Sequence, residues 1–260
     1  MESIVRFAVF VTVLLLMLIW EKKIPFRRFA IPKFRRFAIN ICMMGFNFIV
    51  LRLLSGGGAY MAAKYANEQQ LGFLYELNVP YSVGIVLSLI FLDLAIYFQH
   101  RVFHKIPLLW RFHKVHHCDC GFDTSTALRF HALEILMSMY FKMILVIGIG
   151  VAPLAIVLFE VILNACALFN HSNVRIPTPW ENGLRWILIT PDVHRIHHSV
   201  DPQEFNSNFG FSVPYWDWIF RSYSQSPKLG HEFMVIGLAD LRDPTELGFM
   251  RLLRLPFRSK

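Results

Sequence analysis

The stretch Leu92-Asp93-Leu94-Ala95-Ile96-Tyr97-Phe98-Gln99-His100-Arg101-Val102-Phe103-His104 is an apolar run that ends in two histidines four residues apart. Residues three and four apart share one face of an α-helix, so a helix here aims both imidazoles at one point. Two further clusters repeat helical spacing, His113-Lys114-Val115-His116-His117 and His194-Arg195-Ile196-His197-His198. Eight of the eleven histidines fall in these three stretches. Neutral imidazole is the commonest nitrogen ligand for zinc, copper, iron and nickel. One HxxxH pair is weak on its own; two HxxHH boxes beside it point to metal. Eight imidazoles exceed what one tetrahedral or octahedral ion accepts, so the economical reading is a two-metal site.

The chain around these boxes is that of a membrane protein. Its 260 residues are 55% hydrophobic, and a mean hydropathy of +0.44 is too apolar for a soluble globule. Spans are expected near 4–20, 37–54, 82–98, 133–150 and 154–170, each close to the length that crosses a hydrocarbon core. The first reads as a retained anchor, because Glu21-Lys22-Lys23-Ile24-Pro25 stands where a signal peptide would carry its small-residue cleavage site. Lys22, Lys23, Arg27, Arg28, Lys33, Arg35 and Arg36 make the following loop strongly basic, which keeps it in the cytoplasm. Counting spans from there puts the N-terminus and the 55–81 loop, with a short interfacial helix, outside. Residues 99–132 and everything after 170 then lie inside, with all three histidine clusters. Pro177, Pro179, Pro191, Pro202 and Pro214 divide the later part into short helices and turns, a compact cap.

The fold reading is therefore an all-α integral membrane protein, about five transmembrane helices with a cytosolic histidine-rich cap enclosing a dimetal site. Residues 1–81 form an N-terminal anchor region, 82–223 the histidine-box catalytic part and 224–260 a cytosolic tail. The net charge of +8 is accounted for by topology and anionic headgroups, and no nucleic-acid motif is present.

A zincin-type hydrolase needs a glutamate base inside its box, where this chain has Arg101 and Lys114. Ferritin-like di-iron sites need carboxylates with Glu-x-x-His, a pattern also missing. An all-nitrogen site at a membrane surface instead suits non-haem iron that activates O2 against a lipid C–H bond. Cys42, Cys118, Cys120 and Cys166 follow no zinc-ribbon spacing and are read as bystanders. Asp93, seven residues before His100, is either a carboxylate that orients an imidazole or a polar group facing the bundle interior. Lys142 and Glu160 fall at similar depth on a hairpin turning near Pro153 and are expected to pair. No dinucleotide fingerprint and no CxxC iron–sulfur pattern occurs, so electrons are expected from a separate partner. The competing class is a non-catalytic metal-binding membrane protein for storage, sensing or transport. A transporter would place ligands at mid-membrane, whereas here no histidine falls inside an expected span.

From about residue 82 to 223 the chain resembles the fatty acid hydroxylase/sterol desaturase superfamily of membrane di-iron enzymes. The motifs that carry the resemblance begin with His100-Arg101-Val102-Phe103-His104 and Leu109-Trp110-Arg111-Phe112-His113-Lys114-Val115-His116-His117. They continue with Thr126-Ala127-Leu128-Arg129-Phe130-His131-Ala132-Leu133-Glu134 and Phe169-Asn170-His171-Ser172-Asn173. Thr190-Pro191-Asp192-Val193-His194-Arg195-Ile196-His197-His198 and Tyr215-Trp216-Asp217 complete the set. The resemblance implies two iron ions, with zinc an alternative in purified samples, held by His100, His104, His113, His116, His117, His194, His197 and His198. It implies His171 as a ninth ligand. The family commonly reads His-Pro-x-Glu or His-Pro-x-Asp where this chain has His131-Ala132-Leu133-Glu134, so His131 and Glu134 are expected behind the ligands or at a helix start. Asp217 is expected to tie down the cap, and His231 to lie on the surface. The implied activity is O2-dependent hydroxylation or desaturation of a membrane lipid, in the bacterial inner membrane or, with the same topology, the endoplasmic reticulum.

Overall fold

The structure, a computed structural model, describes residues 2–28, 32–243 and 247–258. Regular structure among these residues is helical, with two isolated bridges, Pro25 to Val174 and Ser199 to Ile236. The first helices are α1 (Glu2–Lys23), α2 (Lys33–Leu54), α3 (Gly58–Glu68) and the single turn α4 (Phe73–Glu76). Next, α5 (Tyr81–Lys105) passes through Ile106 into α6 (Pro107–His117). The hairpin is α7 (Ala132–Ile149) and α8 (Pro153–Asn170). Short cap helices follow: α9 (Thr178–Leu184), α10 (Pro191–His197), α11 (Pro202–Phe205), α12 (Tyr215–Ile219), α13 (Gly230–Phe233) and α14 (Phe249–Arg254). Five helical stretches are long and apolar enough to cross a membrane: α1, the stretch from Lys33 to Glu76, α5, α7 and α8.

Local chemistry sets these boundaries. Pro107 and Pro153 occupy the first turn of their helices, where a missing N–H costs nothing. Ile106 is extended (φ −89°, ψ 116°), so α6 folds back against α5 and the first two histidine boxes meet. The His131 ring accepts the Leu133 N–H at the start of α7.

The second stretch departs from the sequence reading. Gly56, Gly57 and Gly58 take φ of +59°, +99° and +67°, a run that L side chains resist, and they break α2 from α3. Beyond the break, where a loop with a short interfacial helix is expected, α3 is drawn into the bundle. It buries Ala59, Ala62, Ala63 and Ala66 in the bundle core and packs on α7 and α8. Small residues let helix backbones approach closely. At the break itself, the Tyr140 hydroxyl donates to the Leu54 carbonyl at 2.6 Å.

The segment 224–260 is likewise not a free tail. Leu238, Leu252 and Leu255 share one buried cluster with Met43 of α2 and Val115 of α6. The expected pair inside the hairpin is present: Lys142 Nζ lies 3.2 Å from Glu160, and Arg6 of α1 joins the same carboxylate.

One of the basic residues of the loop after α1 is a structural charge. Arg36 is 4% exposed. It donates to both oxygens of Asp119 at 2.7 and 2.8 Å and to Asp123 at 2.8 Å. Arg129 Nη2 approaches Asp119 from the other side at 3.7 Å. Burial alone would push the Asp119 carboxyl up, but Arg129 and Arg36 hold it below the usual carboxylate range. The buried Glu21 carboxylate accepts the backbone N–H of Thr124 at 2.6 Å and of Asn173 at 2.9 Å, and pairs with Lys33. Through these contacts α1 and α2 grip the segments that flank His117 and His171.

Candidate metal centre

Nine buried histidines converge at the cap end of the bundle in two groups. His100 and His104 of α5, His113 and His117 of α6 and His197 of α10 form one; His116, His171, His194 and His198 form the other. Within each group the nitrogens that face one another lie within 4.8 Å. Each HxxHH box is therefore split between the groups and does not aim at a single point. On α6, positions 113 and 117 share a face, and adjacent position 116 turns to the other group. On α10 and the residue after it, 194 and 198 pair while 197 turns away. The doubled histidine is what puts rings of one helix in both groups.

The outer ring nitrogens fix the tautomers. Nδ1 of His100 donates to the Phe209 carbonyl (2.8 Å), that of His197 to Ser207 (2.7 Å) and that of His171 to Ala167 (2.8 Å). His116 Nδ1 donates to the Arg129 carbonyl (3.2 Å), and His113 Nδ1 to the Glu134 carboxylate (2.6 Å). Carbonyls and carboxylates only accept, so each of these rings carries its lone pair on Nε2. Yet the Nε2 atoms of His100 and His113 are 3.1 Å apart, those of His100 and His197 3.0 Å, and those of His116 and His171 3.1 Å. Lone pairs this close repel unless a cation sits between them. Imidazole–metal bonds of about 2.1 Å at a right angle would place neighbouring nitrogens about 3.0 Å apart. His198, fully buried, has neither nitrogen hydrogen-bonded to a described residue. The donor set fits a pair of imidazole-binding ions.

Burial, then the neighbouring imidazoles, holds His116, His117, His194 and His198 well below the ordinary histidine range. Burial also takes His171 down to about 4 and His197 to about 3, against the partial opposition of their carbonyl partners. The rings are thus neutral at pH 7, the state a metal requires.

Around the histidines, Asp217 accepts the N–H groups of Phe209 and Gly210 at 2.9 and 2.8 Å and the Ser222 hydroxyl at 2.7 Å. It clamps the loop whose carbonyls orient His100 and His197. Asp93 does not reach an imidazole: its carboxylate accepts the Trp216 indole N–H at 2.7 Å, and His100 takes a carbonyl partner instead. His131 joins neither group. Its Nδ1 caps α7 and its Nε2 donates to the Leu253 carbonyl at 3.2 Å. Cys118 stays a thiol, pushed by burial up to about 11, with its S–H on the Val115 carbonyl. His231 is half-buried, edge-on to Phe26. Sequence reasoning missed Glu21, Arg36 and Asp119. The one signal was an acid, Asp119, between two cysteines directly after a box.

The sequence model described as fatty acid hydroxylase matches residues 85–222. The ornithine lipid hydroxylase of Rhizobium tropici is 30% identical over 197 residues, covering 70% of this chain and 58% of that protein. Human alkylglycerol monooxygenase is 29% identical over 150 residues (56% of this chain, 31% of the relative). Human cholesterol 25-hydroxylase is 26% identical over 144 residues (52% and 49%). The chain thus spans between about a third and three-fifths of the length of these relatives. No solved structure matches it.

Proposed function

The chain belongs to the fatty acid hydroxylase family, and from that premise we propose that it is a membrane-bound di-iron oxidoreductase that hydroxylates a C–H bond of a lipid with O2. The observation that carries the reading is the pair of buried, all-histidine groups at the end of an apolar helical bundle. Hydroxylation is preferred to desaturation because the relatives are named as hydroxylases and monooxygenases. The nine histidines are the ligands, five to one ion and four to the other, and zinc can replace iron in purified material. Iron held there supplies the reduction of O2 and the oxidation of the C–H bond.

The protein's own residues prepare that chemistry. Carbonyls of Phe209, Ser207, Arg129 and Ala167 hold rings at the tautomer that binds metal. Glu134 accepts the Nδ1–H of His113 and fixes the orientation of that ring. Phe122, Phe209 and Phe211 pack against the ligand rings and keep bulk water from them. Inserting one oxygen atom and releasing the other as water consumes two electrons and two protons, supplied by a separate electron-transfer partner. The lipid arrives sideways from the bilayer, and the site faces the cytosol, of a bacterial inner membrane by this reading.

The test is comparative lipidomics under oxygen-18 gas, with membranes holding the intact chain or a His113→Ala/His197→Ala variant. A lipid that gains one labelled oxygen only with the intact chain is the expected result. A lipid two hydrogens lighter and unlabelled would move the reading to desaturation. Unchanged lipids with metal bound and a donor supplied would overturn the oxygenase reading in favour of metal handling.

A further inference from the structure

The cap carries a patch of large apolar side chains open to its surroundings. Trp180 is 71% exposed, Trp186 64%, Ile187 60%, Ile219 62% and Tyr215 43%. They lie on α9, the turn after it and α12. Ring contacts join the two segments into one surface: Trp186 to Trp218 at 4.9 Å and Trp218 to Tyr215 at 5.4 Å between centroids.

The level of this patch along the bundle decides what it meets. Trp216 of α12 donates to Asp93 of α5, and Phe220 packs on Phe98 and Tyr97 at 4.8 and 5.5 Å. At about 1.5 Å per helical residue, Phe98 and Asp93 lie about 10 and 18 Å back from Lys105, the charged end of α5. A hydrocarbon core takes about 20 residues, so counted from Tyr81 it reaches about residue 100. Segment α12 therefore lies beside the membrane-spanning part of α5, not above it. Phe91 and Phe98 of α5 are themselves exposed, so the patch continues the face that the spanning helix turns to lipid.

We propose that α9, the turn after it and α12 sit in the membrane interface, with Trp180, Trp186, Ile187, Tyr215 and Ile219 inserted among the lipids on the metal side of the bilayer. Tryptophan and tyrosine collect at this boundary because one end of each ring system is apolar and the other wet. Elements of this kind bury an apolar face about 5–10 Å deep. This keeps the part after residue 170 on the side the sequence reading gave it and seats two of its segments at the membrane surface. Residues 209–211, just before α12, press Phe209 on His104 and His197 at 5.2 and 5.5 Å and Phe211 on His100 at 5.3 Å. The Tyr215–Ile219 part of the patch and the wall of the five-histidine group thus belong to one short segment, 209–219. The inference rests on the membrane reading of the long helices and is independent of the metal chemistry.

The test places the photoreactive residue p-benzoylphenylalanine at Trp186 or Ile219 in the full chain. Phe48, 69% exposed on α2, is the lipid-facing control, and Gln203, exposed on α11, the water-facing one. Each variant is illuminated in phosphatidylcholine–phosphatidylglycerol vesicles and its intact mass is measured. The expected result is a phospholipid adduct at Trp186 and Ile219 as abundant as at Phe48, and none at Gln203. Absence of adduct at Ile219 while Phe48 reacts would overturn the proposal. So would a cross-linked dimer there, which would make the patch an interface between copies of the chain.

Discussion

Replacing Arg36 with Met tests whether a buried charge cluster, and not the basic loop as a whole, fastens the second stretch to the metal centre. Arg36 gives three hydrogen bonds to two carboxylates that are themselves 0% and 2% exposed. The cluster is balanced, Arg36 and Arg129 against Asp119 and Asp123, so Arg36→Met leaves one uncompensated buried negative charge. Breaking a buried pair in this way costs about 3–5 kcal/mol. For a chain of this size about 1 kcal/mol moves the unfolding midpoint by about 2–4 °C, which gives a loss of about 6–20 °C. Thermal unfolding in detergent, followed by size-exclusion chromatography, reads that shift. The double variant Arg36→Met/Asp119→Leu restores balance and should lose less than the sum of its single variants, by about 0.5–3 kcal/mol. Gly121 supplies an internal control, because a Cβ there would lie 2.3 Å from the Arg36 guanidinium carbon. Gly121→Ala should destabilise the parent and cost little in the Arg36→Met background. Strict additivity in both pairs, or a midpoint for Arg36→Met within about 2 °C of the parent, would refute the reasoning.

Other expectations concern the centre itself. Glu134→Ala removes the acceptor on His113 and should weaken metal binding about 10–100-fold, measured by competition with a chelator; unchanged affinity would detach Glu134 from the site. His171→Ala should empty the four-histidine group, whereas His131→Ala should keep full metal content and lose only the cap of α7, about 1 kcal/mol. Equal metal loss in the two would make His131 a ligand. In the metal-free protein the lowered values of His171 (about 4) and His197 (about 3) mean that the unfolded chain binds more protons between those values and about 6.5. Stability is then fully present above about pH 6.5 and falls with pH by about 1.4 kcal/mol per unit for each ring, about 3 kcal/mol in all for His171. A midpoint that stays flat from pH 7 to pH 5 would contradict this.

The sequence disclosed much of this architecture because its signals are local. Apolar runs of the right length gave the long helices, and the spacing in His113–His117 and His194–His198 marked the residues that meet. What stayed hidden depends on chain segments far apart in sequence. Arg36 and Asp119 are separated by 83 positions, and a basic residue near a span looks the same whether it faces water or a buried carboxylate. Asp93 has the helical register to reach His100, but the partner that claims it, Trp216, is 123 positions away. The break at Gly56–Gly58 was visible as glycine; that the chain resumes inside the bundle follows only from the alanine face finding α7. The tail's leucines carried too little periodicity to announce a seat on α2 and α6.

The adjacent pairs His116–His117 and His197–His198 have a further consequence. In each pair a single peptide unit joins a ring of one group to a ring of the other, so neither group can be ordered while its neighbour stays loose. The first ion to bind would fix α6 and the end of α10 and spare the second most of that ordering cost. Loading should therefore be cooperative, with chains holding two ions or none and few holding one. Native mass spectrometry across a metal titration would display that distribution directly, and a dominant one-ion species at half saturation would show the two groups to be independent.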